Sequence, residues 1–106
     1  MRTQLKVLAI AALMGLAAAG AYAGSAQVTL ENRIDMTLDL YVDGAYGCRA
    51  VAGLICTTQV QSGARSLEAR SGQRTVASET GDIVDGSSPV WTVCYTDPDT
   101  GRCPGQ

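Results

Sequence analysis

The residues best equipped for chemistry are four cysteines, Cys48, Cys56, Cys94 and Cys103, and a run of carboxylates and tyrosines between residues 39 and 46. Thiol–disulfide exchange of the thioredoxin type uses a C-x-x-C pair, and that spacing is absent. Structural zinc sites are built from C-x₂₋₄-C pairs, commonly completed by histidine, and the chain has neither such a pair nor any histidine. An even number of cysteines with neither pattern reads as two structural disulfides. Cys48 and Cys56 flank a turn at Ala52-Gly53, while Cys94 and Cys103 flank the turn-like residues 97–101. Each pair could close a loop of about nine residues, stabilising by roughly 2–3 kcal/mol through the lost freedom of the unfolded chain. Spacing thus favours Cys48–Cys56 with Cys94–Cys103. A bridge from Cys48 or Cys56 to Cys94 across the fold is the competing arrangement.

The missing histidine also removes Ser-His-Asp and Cys-His nucleophilic sites. Lys6 is the only lysine, so no Schiff-base lysine or Ser-Lys dyad exists beyond the N-terminal segment. Paired carboxylates can hydrolyse glycosides, but that chemistry needs a deep cleft. Asp39 and Asp43 instead flank Tyr41 on one face of a strand-like run, as expected of a solvated sheet surface. Asp97-x-Asp99-x-Gly101 has the alternate carboxylates and glycine of a calcium loop. The third ligand position and the distal glutamate are missing, so a plain turn is expected there. No catalytic residue, metal or cofactor is expected. What remains is recognition: Thr37, Asp39, Tyr41, Asp43 and Tyr46 form the candidate binding surface, because tyrosine supplies large contact area at low entropic cost.

The elements that must position these residues follow a signal-like start. Arg2 and Lys6 precede an apolar, alanine-rich run over residues 7–19, and Ala21-Tyr22-Ala23 fits an A-x-A cleavage site. Residues 1–23 read as a secretory signal peptide, helical if structured; the run is short of the roughly 18–20 apolar residues that span a membrane. Residues 24–106 then form a single domain of 83 residues, with six arginines against ten carboxylates and a net charge of −4. That balance argues against general affinity for nucleic acid or anionic membrane. So small a domain has a marginal core and gains from disulfides in an oxidising compartment, periplasmic or extracellular.

Residues 36–43 carry the strongest pattern. Met36, Leu38, Leu40 and Val42 alternate with Thr37, Asp39, Tyr41 and Asp43. A period of two marks a strand with one buried and one wet face, here expected at the centre of a sheet. Similar short runs begin at Gln27, Cys48, Leu54, Ser66, Arg74 and Val90, separated by turn residues including Gly44-Ala45-Tyr46-Gly47, Ser62-Gly63 and Ser71-Gly72. Residues 80–88 read as a polar loop with at most a short strand at Ile83-Val84, and residues 95–106 as a loop-like tail. Short strands at this spacing, without helical periodicity, predict an all-β fold: a small antiparallel β-sandwich, Ig-like, of about six or seven strands. Trp91, Val93 and Tyr95 should share a face, with Trp91 in the core.

At Leu40-Tyr41-Val42-Asp43-Gly44, then Cys48, Cys56, Val60, Ser62-Gly63 and Leu67-Glu68-Ala69, the chain resembles the PEGA and carboxypeptidase-regulatory-like β-sandwich modules over residues 26–80. The resemblance implies a non-enzymatic module that decorates secreted or envelope proteins, and it transfers no functional residue. Two roles are consistent with all this. One is a binding or structural module of the bacterial cell envelope, with a protein or envelope component as partner. The other is a small periplasmic inhibitor that presents a rigid loop, expected at residues 80–88 or 96–106, to a lysozyme or protease.

Overall fold

Alternation along the chain becomes eight strands in the computed structural model, which describes residues 4–8 and 24–104. They are β1 (Gln4–Leu8), β2 (Ser25–Asn32), β3 (Leu38–Val42), β4 (Ala45–Ala50), β5 (Ile55–Gln61), β6 (Gly63–Ser71), β7 (Arg74–Ile83) and β8 (Val90–Thr96). One sheet has the order β1-β8-β2-β5 and the other β4-β3-β6-β7. There is no helix among the described residues. The fold class is the expected disulfide-stapled β-sandwich. One pairing departs from the antiparallel pattern: β2 and β8 run parallel, with Leu30 beside Trp91 and Asn32 beside Val93. Parallel neighbours need a long crossover, and here β3 to β7 supply it, four of them in the second sheet and β5 returning to the far edge of the first.

The core lies between the sheets. Val28 and Leu30 of β2, Leu38 and Leu40 of β3, and Trp91 and Val93 of β8 are buried. β3 lies inside its sheet between β4 and β6, as its uninterrupted apolar face demands. β8 is buried on both faces, since Thr92 and Cys94 are covered as well as Trp91 and Val93. The tail explains this: Cys103, buried itself, is bridged to Cys94 and draws residues 97–103 over the outer face of β8.

Three local expectations change. The segment expected to be helical contains a strand, β1, which pairs with the edge of β8, and the rest of that segment, residues 1–3 and 9–23, lies outside the described residues. An edge strand's unpaired amides and carbonyls can impose extended structure on a segment whatever its intrinsic propensity. β7 continues unbroken to Ile83, where a loop was expected from residue 80, because β6 begins at Gly63 and pairs with it throughout. An edge strand needs few apolar residues, so Thr80 and Asp82 stay exposed within it. The shorter loop that follows is tied to β2 by Gly86 N–H to Ser25 O (2.8 Å) and by the amides of Gln27 and Thr29 to Ser87 O and Pro89 O. Finally, Ala45 to Gly47 belong to β4, and the turn is only Asp43-Gly44.

One buried polar side chain joins the layers. Asn32 stands in phase with Val28 and Leu30 at the end of β2 and is 1% exposed. Its Nδ2 donates to Met36 O (2.8 Å) and Ala50 O (2.9 Å), and its Oδ1 accepts from Ile34 N–H (3.0 Å). The amide therefore holds the β2–β3 crossing closed and fastens it to the end of β4.

Replacing Asn32 by Ala or by the similarly shaped Leu should cost about 2–4 kcal/mol, since the buried amide of Ile34 and two carbonyls lose their partner. A thermal melt of Asn32→Leu at or above the parent would show that these bonds do not stabilise the fold. Leu40→Ala should cost about 2–5 kcal/mol. For a domain of this size each kcal/mol is worth roughly 4–8 °C in Tm, so its melt should fall by roughly 10 °C or more.

Candidate functional site

Asp43 and Gly44 both have positive φ, 52° and 85°, as a two-residue type I′ hairpin requires. The tight turn starts β4 early, and the strand then absorbs one extra residue: Leu40 pairs with Cys48 but Tyr41 pairs with Tyr46, leaving Gly47 in a bulge. Glycine fits because a Cβ at this position would lie 3.0 Å from Thr58 Cγ2 and 3.2 Å from Leu40 O. The bulge places Tyr46 opposite Tyr41 on the outer face. Their rings meet edge to face, with centroids 5.8 Å apart and planes at 78°. On the other side the Arg70 guanidinium, from β6, stacks 4.0 Å above the Tyr41 ring. Such a contact is worth about 0.5–1 kcal/mol at an exposed site.

Three carboxylates on and beside this strand pair, Asp39, Asp43 and Glu68, are engaged. Asp39 accepts from Arg49 Nε (2.8 Å) and Nη2 (3.4 Å), and Glu68 accepts from Arg70 Nε (3.0 Å) and Nη2 (2.6 Å). Asp43 accepts from Arg65 Nη1 (2.7 Å) and Ser66 N–H (2.9 Å), pinning the hairpin to β6. Thr37 is exposed just ahead of β3 and joins none of these contacts. The structure thus brings together Asp39, Tyr41 and Tyr46 and adds three arginines that the strand pattern could not place. The surface is a charge-balanced ladder with a tyrosine pair at its centre. Surface depressions here, such as the one lined by Val42, Tyr46, Thr58 and Arg65, are open to solvent.

Ionisation follows the contacts. The Arg65 guanidinium, helped by the Ser66 amide, holds the Asp43 carboxyl below its ordinary range. On the opposite sheet, the Thr92 hydroxyl (2.8 Å) and then Arg33 hold Glu31 down as well. Tyr95 is raised, chiefly because its hydroxyl donates to Asp35 (2.8 Å). In the tail, Asp97 spends its carboxylate on the amide of Asp99 (2.8 Å) and its carbonyl on Gly101 N–H (2.8 Å). That is turn chemistry. No three cysteines or carboxylates converge as metal ligands among the described residues.

Both disulfides have the connectivity that spacing favours, with Cα–Cα separations of 6.0 Å for Cys48–Cys56 and 5.7 Å for Cys94–Cys103. The first does more than close a local loop. β4 and β5 are edge strands of different sheets, so this bridge staples the sandwich along one side. Between its cysteines stands an exposed apolar turn. Val51, Leu54 and Ile55 are 51%, 59% and 61% exposed, three large apolar side chains on one turn. The turn is type II: Leu54 N–H donates to Val51 O (2.9 Å), and Gly53 takes the positive φ of 80°. Asn32 braces both shoulders, through its side chain to Ala50 O and its backbone N–H to Leu54 O (3.0 Å). The signal was present in the sequence, because turns are normally polar and Val51-Ala52-Gly53-Leu54-Ile55 has no polar side chain.

No protein-family model, curated protein or solved structure matches this chain.

The pKa directions predict the pH profile of stability. A carboxylate depressed in the folded state stabilises above the ordinary carboxylate pKa and loses that contribution as pH falls through its folded value. Tyr95, raised on folding, contributes below the ordinary tyrosine pKa and loses this as pH rises past it. Melting temperature should therefore be flat near neutrality and fall below roughly pH 4 and above roughly pH 10. Asp43→Asn keeps a residue tolerant of positive φ and an acceptor for Ser66, but not the charge. Its melts should show a shallower acid limb than the parent; superimposable limbs would contradict the assigned role of Arg65.

Proposed function

We propose that this chain is a non-enzymatic, secreted binding module of the bacterial cell envelope, and that the braced apolar turn at residues 51–55 is the surface it offers to a protein partner. The observation carrying this is the exposure of Val51, Leu54 and Ile55 together on a rigid support. Single exposed apolar residues are ordinary, but a cluster held out by a disulfide, a turn hydrogen bond and a buried asparagine has its ordering cost already met by the fold. Two disulfides fit an oxidising, extracytoplasmic compartment, and the signal-like N-terminus supports export to the periplasm or beyond. The likeness to PEGA-type modules points the same way.

The same turn favours a second reading, inhibition of an extracytoplasmic lysozyme or protease, because an inhibitor needs a preformed loop. The loops at residues 80–88 and 96–106 are less suited to that role: residues 80–83 belong to β7, residues 84–89 are fastened to β2, and the tail is bridged to β8.

The double substitution Leu54→Ser/Ile55→Thr removes the apolar surface while keeping the turn and a β-prone residue in β5. Cross-linking of the exported, oxidised protein in intact cells should yield a protein adduct that the double variant loses at least tenfold, consistent with loss of interface anchors worth about 2 kcal/mol. An equal adduct yield from a variant with an unchanged melt would overturn the assignment of this turn. Titration against lysozyme and secreted proteases separates the readings: stoichiometric loss of hydrolysis by the parent alone identifies an inhibitor.

A further inference from the structure

The strand β1 lies inside the stretch that reads as a removable leader, yet it completes the first sheet. It pairs antiparallel with the outer edge of β8, Leu5 opposite Tyr95 and Val7 opposite Val93, and it also lies against β7 of the facing sheet. Without it the first sheet has three strands, β8-β2-β5, beneath a second sheet of four, β4-β3-β6-β7. The overhanging strand is β7, whose interior face carries Ala77, Glu79 and Ile83. Leader removal therefore leaves a slot one strand wide, with the β8 edge as one wall and β7 as its roof.

The β8 edge has none of the devices that ordinarily discourage strand addition. Val90-Trp91-Thr92-Val93-Cys94-Tyr95-Thr96 contains no charge, proline or glycine. Of the other outer edges, β7 carries Arg74, Glu79 and Asp82 and β4 carries Arg49, while β5, as free of charge as β8, is bridged to β4 through Cys56. A second copy pairing β8 to β8 would bring two overhanging β7 strands together in the other layer, so the width suits one extended segment rather than another whole sheet.

We propose that the edge of β8 under β7 is an acceptor site for a single extended segment of a partner protein, added antiparallel to β8, as Gln4–Leu8 is added here. Residues of that segment opposite Val93 and Tyr95 point into the sandwich and are apolar, because directly opposed residues share a sheet face. The segment is neutral or basic, since Glu79 is half-buried on the roof and the domain carries net charge −4. Main-chain hydrogen bonds supply affinity and alternate side chains the selectivity. The site rests on the proposed export with removal of residues 1–23. It lies across the sheet from the apolar turn, so the two assignments fail independently.

The test begins with the full chain exported under its own leader and the product weighed intact. The expected mass lacks residues 4–8, and a mass that includes them overturns the proposal, because the slot is then filled in cis. The product is next titrated with a blocked synthetic peptide of residues 2–9. Trp91, the one tryptophan and a β8 residue, reports through its fluorescence, and hydrogen exchange reports on the β8 amides. Saturable binding with slowed exchange along β8 is expected, weakened at least tenfold by Val7→Pro in the peptide. No binding, or equal binding of the proline peptide, overturns the proposal.

Discussion

The structure depends on how one amide, Asn32, is satisfied. A buried asparagine without partners would be a large cost in a domain with so little core. Here its side chain closes the crossing between β2 and β3 and reaches the end of β4, while its backbone N–H holds Leu54. Those bonds decide where the chain leaves the first sheet, where the second begins, and at what height the β4–β5 turn stands. The Cys48–Cys56 bridge then locks the same corner covalently. A polar group and a disulfide thus do what a larger hydrophobic core would do in a longer chain.

The two faces of the second sheet obey different physics. Inside, Leu38, Leu40, Leu67 and Ala69 are held by exclusion of water, which is strong and non-directional. Outside, Asp39, Glu68, Arg49 and Arg70 sit in ion pairs partly open to solvent, where each contributes little to stability. Their effect is to orient groups: paired guanidiniums stay in place, and Tyr41 lies between Arg70 and Tyr46 instead of moving freely. Mutual neutralisation makes this face a poor electrostatic lure. Apolar surface is offered instead at the turn at residues 51–55, and main-chain hydrogen-bonding capacity at the edge of β8 would follow removal of β1.

Much of the fold was legible because it is periodic. The alternation over residues 36–43 places Leu38 and Leu40 inside and Asp39 and Tyr41 outside whatever the neighbours are, since successive side chains on a strand point oppositely. The cysteine pairing was legible from spacing, since each loop is closed by its own turn. Less legible was β7 beyond residue 79, where an edge strand tolerates Thr80, Gly81 and Asp82 and leaves little pattern. The role of Asn32 was not legible, though it stands in phase with Val28 and Leu30, because its partners lie in other elements.

By itself the sequence determined the all-β class, the main strand faces and the lack of histidine-based chemistry, and it favoured the two loop-closing disulfides that the fold then selected. Each of these is a property of residue types and short spacings. Tertiary structure alone decided that Arg49, Arg65 and Arg70 meet Asp39, Asp43 and Tyr41, that β2 and β8 lie parallel, and that the Cys48–Cys56 bridge joins two sheets. It also decided that Val51, Leu54 and Ile55 stand exposed. Register, bulges and sheet order set those neighbours, and they arise from backbone pairing between distant segments, for which no single stretch of sequence carries the address.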